Sequence, residues 1–251
     1  MRRNVLRIYF LESKYEVIKF LRSPVYAFFV VGSPLLLFFL IALPSSGQQY
    51  QGYSLARYLI ATYSCYGAMT GALFATGAGI AMERGYGWLD LKRVAAMPQG
   101  AYVVAKIAAS AVFGLIVTGV LLTAGAAFHL NISGTQALGL LGAIMGSVLV
   151  FAAFGTLIGV TVPRSNAAGF LNIVFLPMSL VSGLWIPLGV LPHWVQAIAH
   201  VLPSYYCSRI ALEALGYLHE SGSRDWVVVF VYGTAIATIA AWTFRRQEAA
   251  T

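Results

Sequence analysis

Six long apolar runs, at roughly residues 25–43, 57–82, 101–128, 135–161, 167–187 and 226–244, dictate what this chain can fold into. At 1.5 Å rise per residue, about 20 residues cross a hydrocarbon core of about 30 Å, so each run is long enough to span a bilayer. Lipid offers no hydrogen-bond partners, so each run must satisfy its own backbone, which makes these segments helices. Composition agrees: charged residues make up 10% of the chain and hydrophobic ones 59%, whereas a soluble domain carries about a quarter charged residues. The expected fold is an all-α integral membrane domain of six transmembrane helices.

An even number of spans leaves both termini on one side, and the basic residues indicate which. Arg2, Arg3, Arg7, Lys14, Lys19 and Arg22 precede the first run. Arg84, Lys92, Arg93 and Lys106 surround the break between the second and third, Arg164 follows the fourth, and Arg245 and Arg246 close the chain. Only Arg57, Arg209 and Arg224 fall on the other side. The asymmetry predicts cytoplasmic termini in a multi-pass protein of the cell membrane. It also accounts for the formal charge of +8 without nucleic acid. The first run is 19 residues long, follows a polar arm and precedes no small-x-small cleavage site, so it is expected to remain in the mature protein.

Three segments outside the runs carry pattern. Residues 1–24 mix Leu6, Tyr9, Phe10, Val17, Ile18 and Leu21 with Glu12, Lys14, Glu16 and Lys19. That spacing predicts an amphipathic interfacial helix with its cations at the lipid headgroups, turning into the bilayer at Pro24. The remainder, 25–251, is expected to form one transmembrane bundle. Its hinge, 83–100, alternates charges with Trp88, Leu89, Leu91 and Val94 until Pro98, the pattern of a short surface helix against which a partner can push. Residues 188–225 are too apolar for a solvated loop yet are cut by Pro192 and Pro203. They predict short re-entrant helices near 193–201 and 204–218, with Trp185, Trp194, Tyr205, Tyr206 and Tyr217 as an interfacial aromatic belt. Gly67 and Gly71, Gly142 and Gly146, and Gly155 and Gly159 have the four-residue spacing that lets helices approach closely in lipid.

The sequence offers little for catalysis. It lacks the GxxxxGK[ST] phosphate loop, GxSxG and HExxH, so no catalytic residues are assigned. His129, His193, His200 and His219 match no metal spacing, and no metal ligands are assigned. Cys65 and Cys207 read as free thiols. All eight acidic residues fall outside the middle of the runs, which argues against an ion-coupled transporter and for an amphipathic or apolar cargo. Tyr63, Tyr66, Asn172, Ser179 and Trp185 are the candidate lining residues of a path, although hydroxyls at that depth more often satisfy nearby backbone.

The hinge MERGYGWLDLKRVAAMPQGAYVVAK and the stretch SGLWIPLGVLPHWVQAIAHVLPSYYCSRIALEAL together make the chain resemble the type-2 ATP-binding-cassette (ABC) exporter permeases. The resemblance covers nearly the whole length; Gly85 departs from it where many relatives carry an acidic residue. It implies a bacterial half-transporter for a drug, antibiotic or lipid, as in multidrug efflux and antibiotic resistance. A second copy or a homologous permease would complete the path. A separate ABC ATPase subunit would dock on a coupling helix marked by Glu83, Arg84, Gly87, Leu89, Leu91, Lys92, Arg93 and Pro98. ATP and Mg would bind that partner, leaving this chain without a cofactor and not itself an enzyme. Spans one, two and five would face the path. Alternatives are a polysaccharide or glycolipid exporter permease and, from other classes, a membrane-embedded enzyme built on His193, His200, Glu213 and His219 or an assembly scaffold.

Overall fold

The computed structural model describes residues 2–94, 97–218 and 222–249, which are almost entirely helical. Helix α1 runs Arg2–Leu21. After Ser23, whose hydroxyl accepts from the Tyr26 N–H, the chain continues as α2, Pro24–Ala42. A two-residue-turn hairpin, β1 (Gln49–Tyr50) and β2 (Tyr53–Ser54), leads to α3, Leu55–Gly85. Gln51 and Gly52 both take positive φ in that turn, the twist a tight hairpin needs. Then come α4 (Trp88–Val94), α5 (Gln99–Ala127), α6 (Gly134–Thr161) and α7 (Arg164–Val181). Two short helices, α8 (His193–Ala199) and α9 (Pro203–Ala214), precede α10, Gly222–Ala249.

Among the described residues, five helices are long and apolar enough to cross a membrane: α2, α3, α5, α6 and α10. The segment expected as a fifth span, 167–187, is helical only to Val181. Gly183, at φ +73°, turns the chain there, and Arg164, Asn166 and Asn172 dilute the apolar character of α7. Six spans are therefore not all visible by length and composition alone.

Helix α3 is the axis of the bundle, with Leu59 through Leu73 buried in unbroken succession. Its hydroxyls bond back along the helix: Thr70 Oγ1 to the Tyr66 carbonyl at 2.8 Å and Thr76 Oγ1 to that of Ala72 at 2.7 Å. Helix α6 comes closest to it at two glycines. A Cβ on Gly155 or Gly159 would run into the backbone of residues 73–77, so the small residues at these two positions let main chain meet main chain. Gly146 admits the Trp226 ring of α10, whereas Gly142 faces open space and contributes no such contact.

Helices α2 and α3 contain π-helical turns at Phe28–Gly32, Phe38–Ala42 and Phe74–Ala78. The first ends two residues before Pro34, whose missing N–H and ring would otherwise conflict with the preceding turn. Helix α7 runs antiparallel along α3. Leu171 packs on Gly77, Phe175 on Phe74 and Tyr66, and Trp185 on Tyr66.

The segment 182–218 differs from the expected belt. Trp194 is exposed, but Tyr205 and Tyr217 are buried. The Tyr217 hydroxyl donates to the Ser54 carbonyl at 2.8 Å and its ring packs on Tyr53 and Tyr58, so these phenols close the end of the bundle. Helix α9 is wedged against α3, α6 and α10.

Candidate functional site

The hinge begins where α3 stops. Gly87 takes φ +73°, which reverses the chain, and the Leu91 N–H bonds the Gly87 carbonyl to start α4. Arg84 reaches sideways to the Val162 carbonyl at 2.8 Å, and Arg164 stacks on the Tyr86 ring at 3.8 Å, so the loop between α6 and α7 is fastened to the hinge. Leu89 packs into a small cluster of Ile80, Tyr102 and Val160. Leu91 and Val94 point away, 68% and 88% exposed. Pro98, half-buried, precedes the first turn of α5. The Arg93 side chain, like Ala95 and Ala96, lies outside the described residues.

Glu83 and Lys92, read from sequence among the partner-facing residues, turn inward. Lys106 Nζ sits 2.5 Å from Glu16 Oε1 and 2.7 Å from Glu83 Oε1. Lys19 Nζ lies at the same two distances from the same two oxygens, which closes a four-membered ring of alternating charge. Lys92 extends the ring, 2.5 Å from Glu12 Oε1 and 4.0 Å from Glu83 Oε2. Lys106, Glu16 and Glu83 are 1%, 6% and 8% exposed. Such charges fold only because three ammonium groups answer three carboxylates. Burial pulls the Lys19 ammonium down, but Glu83 and Glu16 more than offset it and hold it above its ordinary value.

Four helices meet in this network: α1 supplies Glu12, Glu16 and Lys19, and the rest comes from α3, α4 and α5. Tyr9 near Gly100 and Phe20 against Phe113 extend the seam between α1 and α5. Helix α1 thus turns its acids into the protein, with Lys19 reaching them from the exposed rim, while Leu6, Phe10 and Leu21 face outward with Arg7 and Lys14. The expected headgroup-facing cations are therefore only part of the set. Lys106 was the legible clue, a lone cation six residues inside an apolar run, which needs a buried partner.

Beside the network lies a cavity of about 580 Å³ between α2, α3 and α7, a size suited to a drug-sized ligand. Its walls are apolar, among them Phe29, Val30, Phe74 and Phe175, and Lys19 and Glu83 stand at one end with Trp88 of the hinge. Both flanking π-turns contribute to it, through Phe29 and Val30 on α2 and Phe74 and Ala78 on α3. Of the candidate path residues, Tyr66 and Asn172 line it. Asn172 Nδ2 bonds the Ala168 carbonyl at 3.1 Å. Tyr63, Ser179 and Trp185 do not reach it: the Tyr63 hydroxyl donates to the Trp185 carbonyl at 3.4 Å and the Ser179 hydroxyl to that of Leu176 at 2.8 Å.

The histidines do not assemble. His200 contacts the Gln196 carbonyl and the Tyr205 hydroxyl, His193 is exposed and His219 lies outside the described residues. Among the described residues no three His, Cys, Asp or Glu side chains are grouped to hold a metal.

The sequence profile described as "ABC-2 type transporter" matches residues 9–215, which takes in most of the arm, the hinge and the cavity. A protein of Bacillus subtilis (strain 168) named as a transport permease, YvfS, is 27% identical over 208 residues, covering 77% of this chain and 79% of its own length.

Proposed function

The chain belongs to the ABC-2 type transporter family, and we propose that it is the permease half of an ATP-driven exporter for an amphipathic or hydrophobic molecule. Permeases of this family work with ABC ATPase subunits, and the absence of a phosphate loop from the sequence fits a division of labour in which ATP and Mg belong to the other chain. The observation that carries the reading is the hinge. Helix α4 is anchored on one face by Leu89 and Lys92, offers Leu91 and Val94 on the other, and adjoins the apolar cavity through Trp88. A subunit that pushes on the exposed face acts on a piece continuous with the cavity wall.

In this reading α7 is the remaining span. Its 18 residues measure about 27 Å at 1.5 Å each, close to the bilayer core, and it follows α3 from Arg164 beside Tyr86 to Trp185 beside Tyr66. Six spans return both termini to the hinge side, the cytoplasm by the distribution of basic residues. The cavity then lies in the inner-leaflet half, where an apolar cargo partitions from lipid, and a second copy of the chain completes the path. ATP-driven approach of the two hinges shifts each permease between arrangements.

The complex purified in mild detergent after expression with the neighbouring genes tests this. Two copies of this chain with two of an ABC ATPase are expected; a stable complex without an ATPase overturns the proposal. The cavity assignment has its own test. Ala168→Trp, at an exposed α7 position on the cavity, should reduce binding of a fluorescent amphipathic cation by at least roughly tenfold while the ATPase subunit stays bound. Undiminished binding would remove the cavity from the path.

A further inference from the structure

We propose that Lys106, acting with Glu16, is a positioning residue that yokes the N-terminal arm to the hinge end of the bundle, so that α1 travels with α3 and α5 rather than resting passively on the membrane. The inference rests on the coupling reading above and extends it to a segment that the reading leaves idle.

Three observations carry it. Lys106 touches one carboxylate from α1 and one from α3, at 2.5 Å and 2.7 Å, so its single buried ammonium is a joint between elements 90 and 23 residues away in sequence. The joint is doubled, because Lys19 of α1 bridges the same two oxygens and Lys92 of α4 holds Glu12 of α1. It is also buried: parting α1 from α5 would strip Glu16 and Lys106 of one counter-ion each, leaving Glu16 with Lys19 and Lys106 with Glu83, at a larger cost than breaking an exposed pair. A hinge displacement therefore moves the arm more readily than it breaks the ring. Since α1 continues through a two-residue turn into α2, the motion passes to Phe29 and Val30 on the cavity wall. The arm becomes a second connection between hinge and cavity, beside the direct one through α3.

The test is a pair of spin labels at Phe10→Cys on α1 and Val104→Cys on α5, both exposed sites, in the complete complex. Cys65 and Cys207 are fully buried and do not compete for label. The distance distribution is expected to be narrow and equal in nucleotide-free and ATP-trapped states. Glu16→Gln, which keeps the Lys106–Glu83 pair, should broaden that distribution and lower cargo moved per ATP roughly tenfold, with the ATPase still bound. A wild-type complex in which the labels separate by more than a few ångströms on ATP trapping overturns the yoke. So does Glu16→Gln with a narrow distribution and full transport. A permease that purifies without any ATPase overturns the coupling reading, and the inference with it; either of the other failures, in an intact complex, overturns the inference alone.

Discussion

Lys106→Met should lower the stability of the folded protein by about 3–5 kcal/mol, the range for removing one partner of a buried ion pair. Its ammonium is 1% exposed and satisfies Glu16 and Glu83 together, so its loss leaves two buried carboxylates with Lys19 alone between them. For a chain of this size the midpoint of thermal unfolding should fall on the order of 10 °C. Adding Glu16→Gln and Glu83→Gln should recover more than half of that loss, since it removes the stranded charge and Lys19, with a side chain 43% exposed, can extend to water. Thermal unfolding of purified protein in detergent reads both variants. A triple variant no more stable than Lys106→Met alone would mean that side-chain packing, not charge compensation, holds the four helices at this point.

The second large effect is expected at the opposite face of the hinge. Leu91→Glu with Val94→Glu should leave the permease folded and inserted, because neither side chain supports the core. Burying a Leu or Val is worth about 1.5–3 kcal/mol, so losing both, before any cost of burying the new carboxylates, weakens an apolar contact by about 100-fold or more. The measurement is recovery of the ATPase subunit with the affinity-purified permease, with transport as the second readout. Leu89→Glu is a different experiment, since Leu89 packs beside Tyr102 and Val160 and its replacement should act on stability first. Full recovery of the ATPase with the Leu91 and Val94 variant would move docking away from α4.

What could be read from the sequence follows from where physics leaves few choices. Apolar runs of span length are helices because lipid forbids anything else, and Pro98 closes the hinge before the third run. Side-chain direction was less accessible. Glu12, Glu16 and Lys19 form an ordinary polar stripe, and only the position of Lys106 across the bundle makes that stripe a buried face. Tyr205 and Tyr217 belong to the residue types that sit at headgroups, and tertiary contacts to Ser54 and His200 drew them inside instead. Helix α7 fell short of its expected length because Gly183 ends it and its own amides dilute it, and neither is weighed by a simple count of apolar residues. The cavity could not be foreseen from any one segment, since residues of five helices, two of them with π-turns, bound it.

The burial of α3 bears on how such a chain enters the membrane at all. Helices α2 and α10 are strongly apolar and present little surface to the rest of the protein, so each can leave the insertion machinery for lipid alone. Helix α3 is the reverse, the least apolar of the five and the most enclosed. It is not at home in lipid before its neighbours surround it, so biogenesis has an order: α3 can settle only once α2 and α5 are there to enclose it. The charges that close the ring would be assembled last among these contacts, from helices separately delivered.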